Sequence, residues 1–188
     1  MGLVMRVPAD SVRGKNGAVV PVWEDATLMK IILDPTKCVG CRTCEAVCSL
    51  VNEGEANPTK SRIKVVRTID NGLMYPIPVL CQQCERASCA EVCPARAITR
   101  NGDGVLIVNE KKCLGCSACT MACPFGAIAV HPEKRVASKC TQCADFGGEP
   151  QCVKHCFPQA LRFIPAERAG ITRARAKTEK LLQMTRRA

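Results

Sequence analysis

Aromatic residues are scarce: one Trp, one Tyr and four Phe in 188 residues. Aromatic rings supply much of the buried area of ordinary cores, so a core organised by aromatic packing is excluded. Long apolar runs are missing as well, and no stretch approaches the ~18–20 apolar residues of a membrane span. The opening MGLVMRVPADSVRGKNGAVV has no extended apolar run, an early proline and no twin arginine. No secretory signal is therefore expected, and a reducing, cytoplasmic setting is the default. Neither G-x-G-x-x-G, the P-loop pattern nor H-E-x-x-H occurs, and there is no C-x3-C-x2-C triplet of the radical type. Helix-turn-helix, finger-spacing and aromatic-stacking sets are also missing, which sets nucleic acid aside as a partner. The chain is expected to be no enzyme in its own right.

What is abundant is cysteine. There are sixteen, and every one belongs to a group of four. The first group is CVGCRTCEAVC, Cys38 to Cys48, and the second is CQQCERASCAEVC, Cys81 to Cys93. The third is CLGCSACTMAC, Cys113 to Cys123, and the fourth is CTQCADFGGEPQCVKHC, Cys140 to Cys156. Each opens with C-x2-C and closes with C-x3-C. Groups one and three share the lead-ins DPTKCVGC and NEKKCLGC, each after a strand-like run, KIIL and VLIV. Groups two and four share C-x-Gln-C and a wider gap before the third cysteine. The order A-B-A-B is that of an internal duplication, which fixes architecture before local propensity does. After groups two to four, CPARAI, CPFGAI and CFPQAL predict a helical turn stopped near proline and followed by a short strand.

Three chemistries suit clustered thiols. Disulfides are disfavoured by a reducing compartment. Structural zinc takes four ligands, commonly as two separated C-x2-C pairs, and the third crowded cysteine of groups one and three exceeds that need. An iron–sulfur cubane wants one thiolate per iron. The run C-x2-C-x2-C can wrap three corners, and a fourth cysteine followed by proline serves the neighbouring cluster in two-cluster ferredoxins. Cys93-Pro94 and Cys123-Pro124 match that detail. Iron–sulfur is the favoured chemistry, with a zinc-stabilised interaction module as the alternative from another class.

On these motifs, about Met29 to Phe163 resembles the four-cluster, polyferredoxin-type electron-transfer subunits of molybdenum, tungsten and nickel oxidoreductases. These are related to the iron–sulfur subunits of dimethyl sulfoxide reductase and formate dehydrogenase. The stretch CVGCRTCEAVCSLVNEGEANPTKSRI is most similar to the small soluble subunits of carbon monoxide dehydrogenase or tungsten aldehyde oxidoreductase. Phe157, between Cys156 and Pro158, departs from the usual proline position, and an extension precedes MKIILDPTKC. The resemblance implies an α+β fold with two ferredoxin-like dicluster lobes, in which short antiparallel strands and short helices surround four [4Fe–4S] clusters. It also implies crossed ligand sets. Cys81, Cys84 and Cys89 would join Cys123, and Cys113, Cys116 and Cys119 would join Cys93. Cys38, Cys41 and Cys44 would join Cys156, and Cys140, Cys143 and Cys152 would join Cys48. One lobe would then be built on residues 81–123 and the other on 38–48 with 140–156. The function implied is a non-catalytic relay of single electrons between a catalytic oxidoreductase subunit and an acceptor. A tungsten or molybdenum aldehyde oxidoreductase is the first expectation for the partner. Carbon monoxide dehydrogenase, hydrogenase or formate dehydrogenase is the alternative, and a flavin or NAD subunit, a ferredoxin or a stacked second copy are further acceptors.

The formal net charge of +10 would suit an anionic partner, but it counts thiols as neutral. Four cubane sites at about −2 each bring the loaded protein near +2. Lys37, Lys112 and Lys139 each precede the first cysteine of a group, whereas group two has Leu80 there. They are either solvated cations at a loop mouth or cations that raise a cluster's potential. His131 and His155 read as surface or packing residues. Gly40, Gly115 and Gly126 read as tight turns beside the clusters. Residues 29–165 form the expected cluster domain. Residues 1–28, with Trp23, make an extension suited to docking, and 166–188 make a basic helix or tail carrying Ile171, Leu181, Leu182 and Met184.

Overall fold

The computed structural model describes residues 29–166, together with 11–13, 19–21 and 169. The chain divides into a compact unit, Lys30–Ile164, and a second unit made of Met1–Met29 with Pro165–Ala188. In the second unit, β1 (Ser11–Arg13) pairs antiparallel with β2 (Val19–Pro21). The remainder of the expected N-terminal arm, and the basic C-terminal helix, lie outside the described residues.

The larger unit is assembled from two-stranded ribbons and short helices. Strand β3 (Met29–Leu33) pairs with β10 (Leu161–Pro165), so the two ends of the cluster region are tied together. The Asp34 N–H donating to the Ala160 carbonyl at 2.8 Å extends this tie. Strands β4 (Lys64–Asp70) and β5 (Leu73–Val79) form the longest hairpin, turning at Asn71-Gly72 with φ of 48° and 76°. Two left-handed residues in sequence are what a tight two-residue hairpin requires, and Asn-Gly supplies them at least cost. Strand β6 (Ile98–Arg100) pairs with β7 (Leu106–Val108), and β8 (Ile128–Val130) with β9 (Ala137–Lys139), both antiparallel.

Each group of cysteines runs into a helix. Helix α1 (Thr43–Glu53) is the only long one among the described residues. Helices α2 (Ser88–Glu91), α3 (Ala118–Ala122) and α4 (Gln151–Lys154) are single turns. A strand follows each short helix, β6, β8 and β10, in the positions that the three proline-bearing segments predict. Helices of this length do not hold in isolation, so tertiary contacts must fix them. Helix α1 packs against α4, and α2 against α3.

Two apolar cores result, and cysteine fills the place that aromatic rings take elsewhere. One joins Ile31, Ile63, Leu80 and Leu161 to Cys44 and Cys152, with Cys48, Cys140 and Cys156 at its margin. The other joins Ile98, Leu106 and Ile128 to Cys119, with Cys89, Cys113 and Cys123 at its margin. The first therefore collects cysteines of groups one and four, and the second those of groups two and three.

Candidate iron–sulfur centres

The duplicated sequence produces a duplicated backbone. Gly40 and Gly115 have φ of 68° and 65°, and two residues on Arg42 and Ser117 have 61° and 63°. In groups two and four, Gln83 and Gln142 have 49° and 54°. These left-handed residues bend the chain sharply between successive cysteines, and in group four Cys143 adds a second one directly after Gln142 at φ 56°. At Gly40, a Cβ would come within 2.9 Å of the Pro76 Cβ, and at Gly115 within 2.3 Å of the Arg135 carbonyl oxygen. These two glycines allow close approach by neighbouring chain. At Gly126 a Cβ meets nothing within 4 Å, so this glycine serves its turn alone.

All sixteen thiols are free. Two cavities gather cysteines from different groups. One, with about 380 Å³ of space partly open to solvent, is lined by Cys113, Cys116 and Cys119 together with Cys93. The other, about 360 Å³, is lined by Cys140, Cys143 and Cys152 together with Cys48. The electrostatics of single thiols carry the same pattern. Burial pushes the Cys152 thiol up, and Cys140, Cys48, Cys143 and Cys44 add to it. Burial raises Cys89; Lys139 opposes this, while Cys81, Cys123 and Cys84 reinforce it. Burial also pushes Cys44 up to about 12, with Glu45, Cys41 and Cys156 adding. Cys41, in contrast, is held below the usual thiol range by the Thr43 hydroxyl. Cys38 is half-buried.

The buried thiols Cys44, Cys119 and Cys152 resist ionising beside their neighbours, because burial raises them and nearby thiolates add to it. A metal core that neutralises them removes the conflict. Donors to sulfur stand ready beside them. The Gln83 N–H donates to Cys81 Sγ at 3.5 Å, and its counterpart Gln142 to Cys140 Sγ at 3.3 Å. The Ala97 N–H donates to Cys93 Sγ and the Ala137 N–H to Cys113 Sγ, both at 3.3 Å. Asn52 Nδ2 lies 3.7 Å from Cys48 Sγ. Such donors stabilise sulfur charge and tune a cluster. Among the described residues, no three His, Cys, Asp or Glu side chains are drawn together around one point as for a single metal ion. The donor set, all sulfur and in fours, fits iron–sulfur clusters.

Exposure separates the thiols. Cys41 and Cys116 are exposed, at corresponding positions of groups one and three, whereas Cys44, Cys119 and Cys152 are buried. Exposed apolar side chains flank the two open thiols in sequence: Val39 beside Cys41, and Leu114 beside Cys116. Phe157 is 98% exposed next to Cys156.

Polar residues fill the seam between the two apolar cores. Gln83 is fully buried; its Nε2 donates to the Cys140 carbonyl at 2.8 Å, and its Oε1 accepts from the Leu106 N–H at 2.8 Å. Lys37 and Lys112 are exposed, in keeping with solvated cations. Lys139 is not: it is 2% exposed, and its Nζ donates to the carbonyls of Leu106 and Cys140. His131 is also buried, with Nδ1 accepting from the Glu133 and Lys134 N–H groups at 3.2 and 3.1 Å. Its Nε2 faces Glu53 Oε2 at 3.2 Å, and that carboxylate also meets Lys134 Nζ at 2.8 Å. His155 is exposed, with Nδ1 3.0 Å from the Gln151 carbonyl. The seam role of Gln83 and the network around Glu53 are absent from the sequence reading. The repeated C-x-Gln-C was the signal for the first, and nothing local marks the second.

The 4Fe-4S dicluster domain model matches residues 73–165. A ferredoxin of Methanocaldococcus jannaschii is 37% identical over 157 residues, covering 83% of this chain and 92% of that protein. The polyferredoxin-like subunit of an aliphatic sulfonate oxidoreductase from Pyrococcus furiosus is 36% identical, covering 84% and 91%. The electron transfer subunit of a thiosulfate reductase from Salmonella typhi is 33% identical, covering 74% and 77%. No described helix is long and apolar enough to cross a membrane. The chain belongs to the 4Fe-4S dicluster ferredoxin family and is a non-catalytic iron–sulfur electron-transfer protein.

Proposed function

We propose that the chain relays single electrons through four [4Fe–4S] clusters on behalf of a catalytic oxidoreductase subunit, in the cytoplasm. The ligand sets are the crossed ones: Cys38, Cys41, Cys44 with Cys156; Cys140, Cys143, Cys152 with Cys48; Cys81, Cys84, Cys89 with Cys123; and Cys113, Cys116, Cys119 with Cys93. The observation that carries the reading is the pair of cavities in which three cysteines of one group meet the fourth cysteine of another. Bound clusters supply reversible one-electron chemistry. The chain's own residues would hold them at fixed separation, with Cys41 and Cys116 reaching solvent at two of the four sites.

The relay order proposed is the Cys41 site, then the Cys140 site, then the Cys81 site, then the Cys116 site. Exposure of Cys41 and Cys116 supports the two ends. The link from Gln83 to the Cys140 carbonyl, and the influence of Cys81 on Cys140, support the middle. The relatives that serve sulfonate and thiosulfate enzymes support an oxidoreductase partner. A tungsten or molybdenum aldehyde oxidoreductase is the partner proposed, with a flavin or NAD subunit, a ferredoxin or a second copy as acceptor. Residues 1–28 and 166–188 are proposed as docking arms flanking the cluster domain 29–165.

Anaerobic isolation from the native host tests this. The expected yield is about sixteen irons and about sixteen acid-labile sulfides per chain, with a catalytic subunit co-eluting and lost on deleting either arm. Stoichiometric zinc with little sulfide refutes the cluster reading. The ferredoxin relative favours one second reading, a mobile carrier, and a free monomer in the native extract would select it.

A further inference from the structure

The seam between the two inner sites contains a cation without a counterion. Lys139 ends β9, immediately before Cys140, and only 2% of it reaches solvent. Its ammonium donates to the carbonyls of Leu106 and Cys140. Among the described residues no carboxylate pairs with it. Glu53 and Glu110 line the same cavity as Lys139, but Glu53 is engaged by Lys134, His131 and Arg62, and Glu110 by Lys134. Burying a charge without a partner is costly. A neutral donor would satisfy both carbonyls without that cost, so hydrogen bonding alone does not account for a lysine here.

The groups positioned to offset this charge are thiols. The ammonium donates to the Cys140 carbonyl, and Gln83, which stands between Cys81 and Cys84, bridges that same carbonyl to the Leu106 N–H. The two loops so joined fall in different ligand sets of the relay proposed above, on which this inference rests. We propose that Lys139 is a positioning residue for electrons: its buried charge raises the reduction potentials of both inner clusters together and leaves the outer two unaffected.

The physical reason is the charge change on reduction. Adding one electron takes a cubane site from about −2 to about −3. A fixed cation in a low-dielectric seam favours the more negative state, and the effect falls with distance and solvent screening. Lys37 and Lys112 precede the outer sites in the same sequence position but are exposed, so water screens them. The ammonium lies at the junction of β7, β9 and Cys140, where the two inner sets adjoin. A single charge there acts on the two inner sites at once and keeps their potentials level. Level inner potentials let an electron cross the seam in either direction.

The test is a mediated dithionite titration of the intact, cluster-loaded protein, followed by electron paramagnetic resonance, for wild type, K139M, K139Q, K139R and K112M. The titrated electron comes from dithionite, which is oxidised as the clusters are reduced. Iron and sulfide content reports on the ligand reading separately, so failure of that reading is visible before any potential is measured. K139M and K139Q are expected to lower two of the four potentials by about a tenfold shift in the reduction equilibrium, about 59 mV for one electron. K139R is expected to restore them, and K112M to move none. K139Q keeps a donor for the carbonyls, so wild-type potentials in K139Q would show hydrogen bonding alone and overturn the proposal. A uniform shift of all four potentials would also overturn it. If neither neutral variant loads its inner clusters but K139R does, the charge requirement stands. If K139R fails as well, Lys139 is structural and the proposal falls.

Discussion

Replacing Gly115 by alanine tests how tightly the loop around the Cys116 site is built. Gly115 lies in the left-handed region at φ +65°, and an added Cβ would sit 2.3 Å from the Arg135 carbonyl oxygen. The left-handed conformation costs a non-glycine residue roughly 1–2 kcal/mol. The contact must also open by about 1 Å, and the opposing backbone resists. Arg135 has a positive φ of 57°, its N–H donates to the His131 carbonyl at 3.1 Å, and the His131 N–H donates to Val136 at 2.7 Å. Overpacking against such a corner adds roughly 1–3 kcal/mol. The sum is about 2–5 kcal/mol. Gly126→Ala is the control, because Gly126 has φ +60° but nothing within 4 Å of its Cβ; only the conformational cost of about 1–2 kcal/mol applies. The assay is the rate of iron release to a chelator, read as loss of visible cluster absorbance. Release follows local opening when reclosing is fast. Gly115→Ala is expected to speed release of the first cluster about 30-fold or more over wild type, and Gly126→Ala about 5- to 30-fold. Equal rates in the two variants would refute the claim that the Arg135 corner constrains this loop.

Cys123→Ala is expected to damage the cluster held by Cys81, Cys84 and Cys89 rather than that of its own group; spectroscopic loss confined to the Cys113, Cys116 and Cys119 site would exclude crossed ligation. Glu53→Gln is expected to destabilise the seam by about 1–3 kcal/mol at pH 7, less than a fully buried pair because Lys134 is partly exposed. Burial raises the Glu53 carboxyl, but the Lys134 ammonium, His131 and Arg62 outweigh burial and hold it below the usual carboxylate range. Its contribution is therefore full above that range and is lost as pH falls through the lowered value. Denaturation midpoints of wild type and Glu53→Gln should differ at pH 7 and converge only as the pH falls below the ordinary glutamate value of about 4.3; a gap that persists unchanged well below that value excludes the ionic account.

Much of the candidate site was legible because metal-binding loops are local in sequence. The five residues Gly40 to Cys44 fix the curl of group one, and Gly115 to Cys119 repeat it with matching φ angles. The short strands and single-turn helices were legible for the same reason: proline follows each helix within a few residues, and apolar runs flank the loops. The seam was not. Glu53 is the last residue of α1, and in sequence it is one charged residue of a polar stretch, Asn52 to Asn57. Its burial depends on His131 and Lys134, nearly eighty residues on, arriving by way of the β8–β9 turn. Lys139 looks identical to Lys37 and Lys112 in its local context, each preceding a cysteine. Only the packing of β9 against β7 takes one of the three out of water.

That difference among three equivalent lysines bears on how the duplicated halves diverged in use. In groups one and three, the lysine side chain remains in solvent, the second cysteine is exposed, and an apolar residue, Val39 or Leu114, stands out beside it. In groups two and four, the corresponding position holds Leu80 or Lys139, both 2% exposed, and the glutamines of C-x-Gln-C turn inward. The A-type loops therefore have the physical character of surfaces and the B-type loops that of an interior. An electron relay needs both. Its ends must approach another protein closely, which favours exposed thiols with apolar rims that shed water on contact. Its middle must keep solvent away, since water and mobile charge around a cluster add to the reorganisation that each transfer requires. Pairing each A-type group with a B-type group, one with four and three with two, sets one surface loop and one interior loop in each core. The two interior loops then meet at the seam through Gln83 and Lys139. On the crossed ligation proposed above, an A-B-A-B chain would leave the two A-type loops at the ends of the relay and bring the two B-type loops together.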